Sequence, residues 1–96
     1  MTEPTEPNEL EEAERTEREL REQLGDLIRA RARAESEAKR LAGRAQLPGA
    51  DATLGEIAER YRVQAERLGG EVDSLRASLR EHEADLERLR ADSRGA

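Results

Sequence analysis

Two long series of apolar residues run along the chain at alternating steps of three and four, and a short segment separates them. The first series begins at Leu10 and the second at Leu54. This spacing places the apolar side chains on one face of a helix, with the period of about 3.5 residues that is typical of coiled coils. The sequence therefore predicts two helices, over residues 8–45 and 53–92.

The segment between the two series, residues 46–52, has the composition of a turn. Pro48 cannot continue a helix, and Gly49 tolerates the backbone angles that a chain reversal requires. The first residue of each predicted helix is followed three positions later by Glu, which is capping-box spacing. We therefore expect a reversal at this turn and a capping box at each helix start: Asn8 with Glu11, and Thr53 with Glu56.

Folding the chain back at this turn pairs positions whose residue numbers sum to 99. Both apolar series then start and stop together, and bulky Tyr61 lies opposite small Ala38. Interdigitating layers favour a large residue opposite a small one. We therefore expect an all-α fold, an antiparallel two-helix coiled-coil hairpin with one apolar seam. The main predicted seam residues are Leu20, Leu24, Leu27, Leu41, Tyr61, Leu68, Val72, Leu75, Leu79 and Leu86.

Three polar residues occupy positions within this predicted seam. Glu17 and His82 fall opposite each other, and we expect the imidazole to donate a hydrogen bond to the carboxylate and fix the register. A pH switch is the alternative, because an acid opposite His82 favours the imidazolium form. Arg31, the third polar seam residue, falls opposite Leu68 and beside two adjacent glycines.

Gly69 and Gly70 lie inside the second predicted helix, where the pair costs roughly 2 kcal/mol relative to alanine. We expect a continuous but kinked helix in which the missing side chains leave room for Arg31 to cross the seam and reach Glu66 or Glu71. The alternative is a break at the glycines, which would divide the second arm and give three helices.

Composition limits the chain to one small domain of 96 residues. Tyr61 is the single aromatic residue and cysteine is absent, which excludes disulfides and cysteine-ligated metals. No apolar run approaches the roughly 18 residues of a membrane span, so we expect a cytoplasmic protein without membrane contact. Residues 1–7, with two prolines, are expected to form a disordered acidic arm, and residues 93–96 to fray.

A single seam of leucine and alanine buries little surface, and chains of this size usually need a further source of stability. Ile28, Ala42 and Ile57 flank the seam, with Ala42 and Ile57 expected on the same side. A hairpin with such a second stripe commonly pairs with another copy to form a four-helix bundle. We therefore expect a homodimer.

The net charge of −6 is unevenly distributed, and the middle of the chain is basic. Arg29, Arg33, Arg40 and Arg44 are spaced to share one outer face of the first helix. This face is a candidate docking patch for an acidic protein surface or for phosphates, or else a solvated face that pairs with neighbouring acids. The acidic total charge and the lack of stacking aromatics disfavour nucleic acid as the partner.

The sequence contains no recognisable catalytic arrangement. There is no cysteine nucleophile, the sole histidine falls in the seam, and no glycine-rich phosphate loop follows a strand. We therefore expect a protein that is not an enzyme and holds no cofactor or metal. Asp51 and Glu56, near the turn, are candidate tip residues that could hold a divalent cation inside another protein. Their alternative roles are a turn residue and a capping glutamate.

A hairpin of this length with acids near its tip resembles the N-terminal coiled coil of Gre-type transcript-cleavage factors, and Glu56 to Tyr61 are similar to the start of their second helix. The resemblance covers these six residues. It implies one alternative function, a hairpin-tip modulator of RNA polymerase or another nucleic-acid enzyme. The function we expect is a non-enzymatic coiled-coil interaction module, meaning a small adaptor, scaffold or regulatory subunit that self-associates. A phage or assembly scaffold protein is a third possibility.

Overall fold

Residues 8–95, the part of the chain that the computed structural model describes, form two helices: α1 (Glu9–Ala45) and α2 (Thr53–Gly95). A tight turn joins them, and α2 packs antiparallel along α1 in a rod of 78 × 25 × 13 Å. The predicted all-α antiparallel hairpin is therefore confirmed. The rod is one helix thick, so both of its broad faces are open to solvent.

The N-terminus of α1 is capped by Asn8. Its side-chain oxygen accepts a hydrogen bond from the backbone N–H of Glu11 at 2.7 Å, which satisfies one of the unpaired donors of the first turn. Glu9, Glu11 and Glu12 place negative charge in this turn, where the helix dipole favours it. The predicted start of the first helix follows from these local interactions.

The reversal between the helices depends on Gly49, whose φ of 77° is a conformation that residues with a side chain rarely adopt. The start of α2 differs from the predicted capping box. The Asp51 carboxylate accepts hydrogen bonds at 2.9 Å from both the backbone N–H and the hydroxyl of Thr53. The Thr53 hydroxyl therefore donates to Asp51, and Asp51 rather than Thr53 supplies the side chain that caps α2.

The helix α2 continues through Gly69 and Gly70, so the alternative with a break and three helices is wrong. It also continues to Gly95, beyond residue 92, where we expected the helix to end. Nothing before Gly95 in that segment is a strong helix breaker, which accounts for the longer helix. The expected disordered arm, residues 1–7, lies outside the described residues.

The core is the single layer of side chains between α1 and α2. Val72 and Leu86 are the most completely enclosed of these, at 1% and 0% exposed. The other predicted seam residues are buried or half-buried. Within the described range, the buried hydrophobic residues are Ala34, Leu41, Ala58, Ala65, Val72, Leu79 and Leu86.

Candidate interaction surfaces

The polar layer in the lower half of the seam differs from the predicted pair. Nε2 of His82 lies 2.6 Å from the backbone oxygen of Ala13, so the imidazole N–H donates to that carbonyl. Glu17 instead accepts from Arg21, one turn along its own helix, at 3.4 Å. The predicted hydrogen bond between Glu17 and His82 is therefore wrong, and the alternative of a pH switch loses the contact on which it depended.

Arg31 uses the space beside Gly69 but pairs with a different acid from those expected. A Cβ added at Gly69 would lie 3.3 Å from Cζ of Arg31, so the guanidinium lies against the bare glycine backbone. Nε of Arg31 donates to Glu35 at 2.9 Å, within α1. Arg31 thus crosses toward α2, as predicted, but Glu66 and Glu71 are not its partners. A carboxylate one turn away on the same helix is the nearer acceptor.

Two ion pairs join the helices along one edge of the hairpin. Arg21 lies 3.5 Å from Glu83, and Arg90 lies 3.4 Å from Glu14. Sequence analysis did not identify them, although the signal was present, because the residue numbers of both pairs sum to 104. They occupy the positions that flank the seam, where charged residues of coiled coils select partner and orientation.

The candidate docking face on α1 is exposed at all four of its arginines: Arg29, Arg33, Arg40 and Arg44. Two of them are already paired within the helix. Arg29 donates to Asp26 at 2.6 Å, and Arg40 pairs with Glu37. The hydrogen bond from Arg40 lowers the pKa of the Glu37 carboxyl, so this pair stays charged at neutral pH.

Arg33 and Arg44 form no ion pair with residues 8–95. The part of this face that is available to an acidic partner is therefore these two guanidinium groups, rather than all four.

At the hairpin tip, the structure gives Asp51 a structural role. Hydrogen bonds from the Thr53 backbone N–H and, second, from its hydroxyl lower the pKa of the Asp51 carboxyl. Glu56 is exposed in the first turn of α2. Among residues 8–95, no three His, Cys, Asp or Glu side chains are grouped so that they could hold a metal ion. The tip acids are therefore accounted for by helix capping and the helix dipole.

A groove of about 540 Å³ lies beside the seam near the turn, and sequence analysis did not identify it. Glu35, the hydrogen-bond partner of Arg31, is among its lining residues. We call it the alanine groove, because six small residues line it: Ala38, Ala42, Ala45, Gly55, Ala58 and Ala65. Charged side chains from both helices form its rim: Glu35, Lys39, Glu59 and Arg62.

The position of the alanine groove corrects the predicted second stripe. Ala42 lines the groove, whereas Ile57 does not. At about 100° per residue, Ile57 falls on the opposite side of the α2 seam face from Gly55 and Glu59. The two flanks of the seam are therefore different surfaces, and Ile57, at 36% exposed, does not extend the stripe that contains Ala42.

Neither helix, over the residues described, has a stretch apolar enough to cross a membrane. The chain matches no protein-family model, no curated protein and no solved structure at a significant level.

Proposed function

We propose that this protein is a non-enzymatic coiled-coil interaction module, a small cytoplasmic adaptor, scaffold or regulatory subunit that binds protein partners and self-associates. The observation that supports it is the single-layer hairpin. The rod is 13 Å thick, and its described core consists of one line of small and aliphatic side chains. Such an architecture presents long helix faces and little else for recognition.

The surface supports docking through α1 in particular. Arg33 and Arg44 are about 20° apart around the helix axis and project from the same outer face. Because neither is neutralised within the described chain, both are available to carboxylates of a partner. The tip receives no comparable support, since Asp51 already caps α2.

The test is affinity purification from native cytosol with the full chain as bait. Three charge variants are compared with the unmodified chain. The first reverses the docking face with Arg33→Glu and Arg44→Glu. The matched control makes the same charge change on α2 with Arg76→Glu and Arg80→Glu. The third removes the tip acids, Asp51→Ala with Glu56→Gln.

We expect one set of partners to be lost with the docking-face variant and retained with the matched control and the tip variant. Circular dichroism must show unchanged helicity for each bait. Loss of partners with the tip variant alone would contradict docking through the α1 face and favour a hairpin-tip modulator. Capture of the same partners in equal amounts by all four baits would also contradict docking through the α1 face. Growth into higher oligomers with concentration, measured by sedimentation, would favour an assembly scaffold.

A further inference from the structure

We propose that the alanine groove is the surface on which a second copy of this chain docks. This inference rests on the proposed function, because it names the partner and the surface of the self-association. The groove lies between α1 and α2 near the turn, with Ala42 on one wall and Gly55 on the other. Both residues are exposed in the single chain.

The small residues of the groove allow another helix pair to approach closely. Where contact residues are alanine and glycine, helix axes can approach to about 8 Å, the lower end of the usual range. A second copy has the required small-residue surface in the same groove, so a two-fold arrangement is self-complementary.

The charges around the groove also favour a second copy over a strongly charged partner. Its rim has two acids and two bases, Glu35, Glu59, Lys39 and Arg62, so it carries no net charge. The remainder of the chain carries the whole net charge of −6. Lys39 has no ion-pair partner among the described residues, whereas Arg62 pairs with Glu59 and Glu66. A basic side chain and acids on the same rim supply opposite charges to an identical surface.

The rod as a whole exposes more surface than a compact chain of the same mass. The chain exposes 7399 Å², whereas a compact monomer of 10.8 kDa would expose about 5,500 Å². A stable interface buries about 800 Å² on each partner. Because the excess belongs to the whole rod and not to the groove alone, an interface of that size must extend along the rod beyond the groove. Ile28, an isoleucine that is 41% exposed, lies beyond Arg31 on the same side of α1 and would lengthen the contact.

Sedimentation equilibrium of the full chain over a wide concentration range tests the proposal with two matched glycine substitutions. Gly55→Gln places a side chain in the groove. Gly70→Gln is the control, because Gly70 is helical and lies outside the alanine groove. A Cβ at either glycine meets nothing within 4 Å in the single chain, so both variants should fold. Ala42→Lys, on the opposite wall of the groove, is the second test variant.

We expect the unmodified chain and Gly70→Gln to sediment as a dimer of about 22 kDa, twice the chain mass of 10.8 kDa. Gly55→Gln and Ala42→Lys should raise the dimer dissociation constant at least about tenfold while retaining helicity. A dimer that is equally stable in all variants, or one that only Gly70→Gln weakens, would overturn the groove assignment and leave self-association intact. An unmodified chain that is monomeric at every concentration would overturn the self-association itself.

Discussion

The two adjacent glycines of α2 provide a quantitative test of how Arg31 packs. A Cβ at Gly70 would meet no atom within 4 Å, whereas a Cβ at Gly69 would lie 3.3 Å from Cζ and 3.5 Å from Nε of Arg31. Replacing glycine by alanine inside a helix stabilises it by about 0.8–1.0 kcal/mol when the added methyl group meets no obstacle. Gly70→Ala should therefore show this full gain, provided that α2 is continuous.

Gly69→Ala should show a smaller gain, because the Arg31 guanidinium must move by a few tenths of an ångström. That movement disturbs its 2.9 Å hydrogen bond to Glu35. Both side chains of this pair are nearly half exposed, so loss of the ion pair costs only about 0.2–1 kcal/mol. The gain in the free energy of unfolding at Gly69 should be lower than at Gly70 by about this amount.

The assay is thermal unfolding followed by circular dichroism at 222 nm, at one fixed protein concentration so that association contributes equally. For a domain of this size, 1 kcal/mol corresponds to about 4–8 °C in Tm. The control is the same pair of alanine substitutions in an Arg31→Ala background, where the difference between the two positions should disappear. Equal gains at both positions with Arg31 present would refute the packing of Arg31 on Gly69. A loss of stability with Gly70→Ala would refute the continuous helix.

Three further outcomes are expected. Leu86→Ala should lower the free energy of unfolding by about 2–5 kcal/mol in urea titrations, because Leu86 is 0% exposed. Val63→Ala, at a 44% exposed position, should change the free energy of unfolding by less than about 0.5 kcal/mol. Similar losses for the two variants would contradict the single buried layer. A double-mutant cycle on the half-buried pair Glu14 and Arg90 should give a coupling below about 1 kcal/mol that is strongly reduced in 1 M salt. A coupling that does not change with salt would contradict a pair that solvent reaches. Hydrogen bonds from Thr53 hold the pKa of the Asp51 carboxyl below its usual range. Its stabilising effect should therefore be fully present above the unfolded-state pKa and be lost as the pH falls through the lower folded-state pKa. A Tm difference between the unmodified chain and Asp51→Ala that persists in strong acid would contradict the cap.

The fold could be predicted because it depends on features that sequence displays directly. The apolar period fixes which face of each helix is buried, and Pro48 with Gly49 fixes where the chain reverses. A hairpin with one seam has few alternative pairings once the turn is placed. The two adjacent glycines did not decide between a kink and a break, since Gly69 and Gly70 weaken a helix without ending it.

The polar contacts could not be predicted in the same way, because residue position does not determine which acceptor a side chain reaches. His82 donates to a backbone carbonyl, an acceptor that every residue carries and that no sequence pattern marks. Arg31 and Glu17 both pair with residues one turn away on their own helix. The alanine groove could not be predicted for a related reason. The sequence pattern places Ala38 in the seam opposite Tyr61, but the surface beside it depends on how the two helices lie together.

The position of the turn at the centre of the chain has a consequence for how the hairpin assembles. Ala45 and Gly55, ten residues apart, line the same groove, whereas Glu14 and Arg90 meet across 76 residues. Closing a short loop costs less conformational entropy than closing a long one. Contacts between the helices are therefore expected to form first beside Gly49 and then progressively farther from the turn, with the contacts at the open end of the rod forming last.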